Sequence, residues 1–222
     1  MFNFKQLFNF ASSIFVIMKD KREQIIETAM QLFAEKGFEG ASIRDIAEKA
    51  SVNVAMVNYY FGTKEKLFEK IIEYKSSATR GLLDEILHNE SLTPIRKIEA
   101  IIDSYIEKLF THRMFHRLVQ QELILNQREN LQDAIVNNFI PNAMIVKSII
   151  ESGIKKGDFK KVDIELTIAT LNGTINQLLL SKKFCNRLMN KSDDYIPYED
   201  GKFKKRVSAH LKQLMQEHLL NK

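Results

Sequence analysis

Side chains that can hydrogen-bond to phosphates and to base edges cluster between Ser42 and Lys66. Ser42 stands at the start of a predicted helix and can bind a phosphate through its hydroxyl or through the helix N-terminus. Arg44, in the first turn of that helix, can reach a phosphate or a guanine edge, and Asn58 can address an adenine edge through two hydrogen bonds. The chemistry predicted for this segment is non-covalent recognition of double-stranded DNA.

Two short helices must position these groups. Ser42 is a good N-cap, and Asp45 three residues later stands where a capping box places its acid. The apolar stripe of this first helix has helical spacing and consists of Ile43, Ile46, Ala47 and Ala50. Asn53 predicts the N-cap of a second helix, Val54 to Tyr60, after a turn of three or four residues. The pattern is a helix-turn-helix whose second helix leaves its outer face free for a major groove.

At these residues the sequence resembles the DNA-binding domain of the TetR (tetracycline repressor) family of bacterial transcriptional regulators. The resemblance includes the preceding helix, REQIIETAMQLFAEKGFEGAS, and the following NYYFGTKEKLFEKII, and it covers roughly sixty residues, from Lys19 to Ser77. It implies an all-α fold with an N-terminal three-helix DNA-binding domain and a larger C-terminal ligand-binding and dimerisation domain. Ser51 replaces a common Gly and Asn58 a frequent aromatic residue, so the base preference is expected to differ.

The predicted DNA contacts combine the motif's exposed positions with the residues matched by the resemblance. Val54 and Ala55 can touch a thymine methyl, and Tyr59 can reach a phosphate. Lys64 resembles the family's backbone-binding lysine, with a solvated lysine as the alternative, and Tyr60 has a core position as its alternative. The complete predicted set is Ser42, Arg44, Asn53, Val54, Ala55, Asn58, Tyr59, Tyr60 and Lys64.

Composition agrees with an all-α protein. The 222 residues include three prolines and eight glycines, and the apolar periodicity is helical almost throughout. The net charge is +5, but Lys19 to Arg80 carries eleven basic and ten acidic residues, so placement rather than bulk charge indicates DNA. The single cysteine, Cys185, excludes an intrachain disulfide and fits a cytoplasmic protein.

Three segments are predicted along the chain. Residues 1–17 form an apolar, aromatic extension that is shorter than the ~20 residues of a membrane-spanning helix. We expect Met18 to begin the compact fold, with no membrane as a partner. Residues 18–66 form the DNA-binding domain, and residues 67–222 form the helical effector-binding and dimerisation domain.

The C-terminal domain is predicted to consist of helices with short joints. The expected spans are Glu65–Leu87, Pro94–Thr111, Phe115–Gln127, Asn130–Asn137, Pro141–Lys155, Ile164–Lys183 and Gly201–Leu220, with Pro94 and Pro141 in first turns. By resemblance to the family, these helices enclose a cavity for a small, apolar effector. The predicted lining is Tyr105, Phe110, Met114, Phe115, Leu118, Gln120, Phe139, Met144, Leu171, Asn172 and Gln177. Plain core packing is the alternative for each apolar member.

Two long helices carry the prediction of a homodimer. Ile164–Lys183 presents one apolar stripe and a second face of small and polar residues, and the terminal helix presents a further apolar stripe. The predicted interface consists of Ile168, Ala169, Gly173, Asn176, Leu180, Phe203, Val207, Leu211 and Leu214. Closure of the monomer's own core is the alternative for both stripes.

Constellations that would indicate an enzyme are incomplete. His112 and His116 have a metal-compatible spacing without the Glu of an HExxH motif, so a surface or capping role is favoured. Glu85 and His88 form one ExxH, whereas a di-iron bundle needs two. The sequence therefore predicts no enzyme, metal or cofactor, but a homodimeric repressor of a palindromic operator, released by a small molecule. The alternatives are a helical-bundle enzyme and an interaction module without DNA binding.

Overall fold

A computed structural model describes residues 4–125 and 127–221, and for residues 4–20 and 178–180 it describes the backbone alone. Every regular element in this part of the chain is a helix. The elements are α1 (Phe4–Gly40), α2 (Ile43–Lys49), α3 (Val54–Phe61), α4 (Lys64–His88), α5 (Pro94–Thr111), α6 (Arg113–Leu125), α7 (Glu129–Lys156), α8 (Ile164–Leu180), α9 (Lys182–Leu188) and α10 (Gly201–Leu219). The predicted all-α class is confirmed.

The chain divides into two compact units, Met1–Tyr74 and Lys75–Lys222. The division falls inside α4, several residues after the predicted boundary at Lys66. Of the predicted apolar extension, residues 1–3 and the side chains of residues 4–17 lie outside the described part of the chain. Its backbone from Phe4 onwards belongs to α1.

The N-terminal unit is built on an aromatic cluster between α1 and α4. Gly37, at a φ of 75°, interrupts α1 and ends its main helical segment. Phe38 then turns back onto Phe33, with ring centroids 5.4 Å apart, and both rings meet Phe68 at 5.5 Å. Since these three side chains are buried, they fix α1 against α4 and leave α2 and α3 to cover the remaining apolar surface.

The C-terminal unit packs α5 between α10 and α7, and α7 also contacts α6 and α8. Its core is dominated by isoleucines of α5 and α7 and by the apolar stripe of α10. Asp163 caps α8 by accepting a hydrogen bond from the Leu166 N–H at 2.9 Å, and Asp200 caps α10 through the Lys202 and Phe203 N–H groups. These caps fix where the two helices begin.

Pro141 lies inside α7, so the prediction of two helices separated before this residue was wrong. Proline lacks the N–H that would bond the carbonyl of Asn137, which normally breaks a helix. The next carbonyl, that of Asn138, accepts hydrogen bonds from the Ser76 hydroxyl and from the Arg80 guanidinium, the latter at 3.3 Å. Polar groups of α4 thus supply donors beside the interruption, which the local sequence did not reveal.

The predicted helix Ile164–Lys183 was too long, because α8 ends at Leu180. Ser181 has extended backbone angles, and its hydroxyl accepts a hydrogen bond from the Phe184 N–H at 3.1 Å, which starts the separate short helix α9.

The turn between α7 and α8 is compact. Gly157 ends α7 at a φ of 82°, and the Phe159 N–H donates to the Gly153 carbonyl at 3.1 Å. A Cβ added to Gly153 would lie 2.3 Å from the buried Phe159 ring, so this position requires glycine.

Candidate nucleic-acid interface and effector cavity

The helix-turn-helix is held by caps on both of its helices. The Asp45 N–H donates to the Ser42 hydroxyl, and the Ser42 N–H donates to the Asp45 carboxylate, each at 3.1 Å. These bonds hold the pKa of Asp45 below its usual range. Asn53 caps α3 by accepting the Met56 N–H at 2.7 Å. Ser51 takes the left-handed turn position at a φ of 52°, where glycine is favoured, so the turn forms despite the side chain.

The outer face of α3 is exposed. Tyr59 is 76% exposed and Val54 40%, whereas Val57 and Phe61 of the same helix are buried. The predicted DNA contacts that are exposed are Ser42, Arg44, Asn53, Val54, Ala55, Asn58 and Tyr59. Tyr60 is half-buried, with its ring 5.4 Å from that of Tyr59. The structure therefore brings these side chains to the surface of two successive helices and leaves the inner stripe for packing.

Lys64 differs from the other predicted contacts because its ammonium group is engaged within the N-terminal unit. Nζ donates to the Phe38 carbonyl at 3.0 Å, lies 4.5 Å from the centroid of the Phe38 ring and 3.7 Å from the Glu39 carboxylate. Its side chain is 20% exposed. Lys64 thus ties the start of α4 to the end of α1. An ammonium has three donors, so one remains for a phosphate.

The C-terminal unit encloses a cavity of about 350 Å³, which lies within the usual range for small-molecule sites. Five predicted lining residues are in its wall, namely Tyr105, Gln120, Phe139, Leu171 and Asn172. The other six predicted residues do not line this cavity, namely Phe110, Met114, Phe115, Leu118, Met144 and Gln177. Phe110, Phe115 and Leu118 pack elsewhere in the protein, and Met114, Met144 and Gln177 are exposed.

Branched aliphatic side chains of α5 and α7 form a large part of the cavity wall, and the sequence prediction missed them. Ile98, Ile101, Ile102, Tyr105 and Lys108 recur at helical spacing and all face the cavity. Lys108 is unusual among them, because it is a charged residue at a position that continues the apolar stripe of α5. A lysine at such a position is the sequence signal that could have identified the site.

Basic groups lie together at the cavity. Lys108 donates to the Thr79 hydroxyl at 3.0 Å, and its pKa is lowered by burial and by the positive charge of Lys75. His116 also lines the cavity. Burial, and then the charges of His112, Lys75 and Lys108, lower its pKa from 6.5 to about 4, so its imidazole is neutral near pH 7. Burial likewise raises the pKa of Tyr105.

The two histidines are placed differently, although both lie near Lys75 and Lys108. His112 is the C-cap of α5 through its backbone N–H, which donates to the Lys108 carbonyl at 2.8 Å, whereas His116 faces the cavity. Among the described residues, no group of three or more His, Cys, Asp or Glu side chains is arranged to hold a metal ion. The described helices also include none with the length and apolar character needed to cross a membrane.

The predicted dimer interface separates into three sets. Ile168 and Asn176 line the cavity of the single chain. Phe203, Val207 and Leu211 are buried in the core of the single chain, and Leu214 packs partly buried against it. The stripe of α10 therefore closes the monomer, as the alternative stated. Ala169 and Gly173 of α8 are exposed, and the side chain of Leu180 lies outside the described part of the chain.

A capped helix-turn-helix with an exposed outer face, followed by a helical unit that encloses a cavity, defines a DNA-binding transcriptional regulator. The family model described as "Bacterial regulatory proteins, tetR family" matches residues 25–71. This match covers most of the predicted DNA-binding segment and confirms its resemblance to the TetR family of bacterial transcriptional regulators.

Individual relatives can be aligned with most of the chain. The chain is 24% identical to the "Probable HTH-type transcriptional regulator YttP" of Bacillus subtilis, over 76% of this chain and 81% of that protein. It is 25% identical to the "HTH-type transcriptional repressor KstR2" of Rhodococcus jostii, over 69% of this chain and 76% of the relative. The structure of FadR from B. subtilis in complex with stearoyl-CoA shares the fold, with a TM-score of 0.70 and 22% identity, over 87% of this chain and 96% of FadR.

Proposed function

We propose that this protein is a homodimeric repressor of the TetR family that binds a palindromic operator in the cytoplasm and is released by a small-molecule effector. The observation that supports this function best is the outer face of α3, which carries hydrogen-bonding and apolar side chains in solvent while the inner face is buried. Such a face fits the major groove. The KstR2 relative is named as a transcriptional repressor, which supports repression over activation.

The proposed DNA contacts divide into two kinds. Arg44, Ser42 and Tyr59 are suited to phosphates, which set affinity and register. Asn58 is suited to an adenine edge, and Val54 and Ala55 to a thymine methyl, which set sequence preference. Asn53 already caps α3 with its side-chain oxygen, so only its amide NH2 remains for a base or phosphate.

The proposed dimer uses the exposed face of α8. Leu166, Ala169, Thr170 and Gly173 are exposed and have the spacing i, i+3, i+4 and i+7, which places them on one side of the helix. Leu166 is 65% exposed, and a Cβ at Gly173 would meet no atom within 4 Å. Small residues flanked by a leucine allow close approach of a second helix. A symmetric pair would present two recognition helices to two half-sites.

The proposed effector site is the cavity of the C-terminal unit. Its wall combines branched aliphatic side chains with a few polar groups, which is the usual composition of a small-molecule site. The FadR relative was determined with stearoyl-CoA, so acyl-CoA compounds are reasonable probes for this chain. An effector that prefers the DNA-free conformation must weaken operator binding by the same factor by which the operator weakens effector binding.

The decisive experiment is a fluorescence-anisotropy titration of the purified full chain with the DNA that flanks its own gene. We expect binding to that DNA at least about a thousandfold tighter than to unrelated DNA of equal length. Equal affinity for the two DNAs would contradict the proposed function and favour an interaction module. A reporter fused to the same promoter distinguishes repression from activation, because deletion of the regulator raises or lowers expression respectively.

The dimer is tested separately by sedimentation. Gly173→Glu places a charge on the proposed interface of α8 and is expected to shift the protein towards the monomer and to weaken operator binding. Lys155→Glu, at an exposed position of α7 outside the proposed interface, serves as the control. An unchanged dimer with Gly173→Glu would show that the subunits pair through another surface.

A further inference from the structure

The cavity wall carries basic side chains and no acidic one. Among the described residues that line it, Lys108 and His116 are basic, and none is Asp or Glu. Lys108 also has no carboxylate within ion-pair distance in the described part of the chain, and its ammonium group donates to the Thr79 hydroxyl only. The Thr79 hydroxyl itself donates to the Lys75 carbonyl at 2.9 Å, so it serves Lys108 as an acceptor. Two donors of the Lys108 ammonium therefore remain for a ligand.

Neutral polar groups of the wall have unused hydrogen-bonding capacity as well. The Tyr105 hydroxyl, the Gln120 amide and the His116 imidazole make no side-chain hydrogen bond within the described residues, and all three line the cavity with Lys108. A hydroxyl and an amide can donate to an anionic oxygen. The wall thus offers donors around one positive charge.

Apart from Thr79, Asn142, Asn172 and Asn176, the rest of the wall is apolar. Ile98, Ile101, Ile102, Ile135 and Val146 line it, and each is at most 4% exposed. A ligand that filled this part with a charged or strongly polar group would have to desolvate that group without partners. The apolar part therefore favours a hydrocarbon body, and the basic part favours an anionic group.

The electrostatics of the basic side chains agree with this division. The pKa of Lys108 is lowered by burial and by Lys75, and the pKa of His116 by burial and by the charges of His112, Lys75 and Lys108. Every charge that perturbs these two groups is positive. An anion would reduce this repulsion, whereas a cation would increase it.

We infer that the effector is an amphipathic anion, with a hydrocarbon body among the isoleucines of α5 and an anionic oxygen bound by Lys108 beside Tyr105, Gln120 and His116. This inference rests on the proposed effector site and specifies the chemical class of its ligand. A free carboxylate and a coenzyme A thioester with its phosphates are two sources of the same chemistry, and the experiment separates them.

The test is isothermal titration calorimetry of the full chain, near pH 7 and below micellar concentrations, with probes that share one hydrocarbon chain. The probes are decanoate, decanoyl-CoA, 1-decanol and decylammonium, with coenzyme A alone as a further arm. We expect decanoate or decanoyl-CoA to bind at least about tenfold more tightly than 1-decanol, because a hydrogen bond to a charged group contributes more than one between neutral groups. Decylammonium is expected to bind most weakly.

Variants connect the preference to Lys108. Lys108→Met removes the charge at similar length and is expected to weaken the anionic probe about ten- to a hundredfold while changing 1-decanol less than about twofold. Lys108→Arg should retain most of the affinity for the anion. Lys155→Met, at an exposed position of α7 that does not line the cavity, is the matched control and should bind as the unaltered protein does. Lys108→Gln replaces Lys108→Met if melting curves show that the latter is unfolded.

Three results would overturn the inference. The first is equal affinity for 1-decanol and the anionic probes, or tightest binding of decylammonium. The second is an anion affinity that Lys108→Met leaves unchanged. The third is no binding of either decanoate or decanoyl-CoA, or binding of coenzyme A alone as tight as that of its thioester. Operator binding is measured on the same preparations, so a failure of the ligand class with intact operator binding leaves the proposed function standing.

Discussion

The outer face of α3 and the wall of the cavity both offer polar groups to a ligand, but at different cost to the folded state. On α3 these groups are exposed, and the backbone ends of the motif are satisfied by Ser42, Asp45 and Asn53. In the cavity, Lys108 and His116 are held among buried isoleucines, with lowered pKa values. The DNA-facing side chains can therefore change with little effect on stability, whereas changes in the cavity wall alter binding and stability together.

We expect the largest difference between the two regions in the stability of two alanine variants, one in the cavity wall and one on α3. Ile102→Ala is expected to lower the free energy of unfolding by about 2–5 kcal/mol, because Ile102 is 2% exposed and belongs to both the core and the cavity wall. Tyr59→Ala, at a side chain 76% exposed, should change it by less than about 0.5 kcal/mol. Urea unfolding followed by circular dichroism measures both, and similar losses in the two variants would refute the distinction.

Acid should destabilise the cavity region through His116. Its folded pKa of about 4 lies below the ordinary value of 6.5, so between these values the unfolded chain binds a proton that the folded chain does not. The loss of folding stability caused by His116 is absent above about pH 6.5 and grows as the pH falls. It reaches about 3 kcal/mol near pH 4. Unfolding of the unaltered protein and of His116→Gln, compared over this range, isolates the effect. Parallel pH profiles would show that His116 is not its source.

On the outer face of α3, Asn58→Ala should change DNA recognition while leaving stability unchanged. We expect a loss of about 1–3 kcal/mol in discrimination at one base pair of each half-site, with stability unchanged within about 0.5 kcal/mol. Titrations against operators that carry each base in turn measure the discrimination. Glu48→Ala, at another exposed position of the motif, should retain the base preference. A stability loss without a change in preference would assign Asn58 to folding.

Lys64 is both a contact within the folded N-terminal unit and a predicted DNA contact. We therefore expect its substitution to change stability and DNA binding together, each by a small amount. Lys64→Met removes the bond to the Phe38 carbonyl and is expected to cost about 1 kcal/mol of stability. If its remaining donor binds a phosphate, as predicted, the slope of log affinity against log salt falls by about one unit. Lys70→Met, whose exposed ammonium pairs with Glu73 in the free protein, is the control. An unchanged slope would leave Lys64 with only its structural role.

The helix-turn-helix could be predicted from sequence because its determinants are local. The Ser42–Asp45 capping box and the Asn53 cap involve partners only three residues away, and the observed bonds are those that the spacing indicates. Even Ser51, which departs from the common glycine, takes the conformation that the turn needs. Hydrogen bonds between residues so close in sequence can be predicted from the residue types and their spacing alone.

The C-terminal unit was less predictable because distant partners decide its details. Pro141 continues a helix whose Asn138 carbonyl accepts bonds from Ser76 and Arg80, about sixty positions away. The apolar stripe of α10 is compatible with either a partner subunit or the chain's own α5, and only packing distinguishes them. The cavity lies among α5, α6, α7 and α8, where their side chains leave space unfilled, and a periodic pattern carries no information about such a gap.

Gly153 and Phe159 have a consequence for the evolution of this chain. Because the ring of Phe159 occupies the space of a Cβ on Gly153, the two positions should be inherited as a pair. Descendants that lose the aromatic ring are free to acquire alanine or serine at the first position, and those that keep it are not. Gly157 is under a different constraint: a Cβ there would meet no atom within 4 Å, but its φ of 82° strains most side chains, so asparagine is the most acceptable replacement.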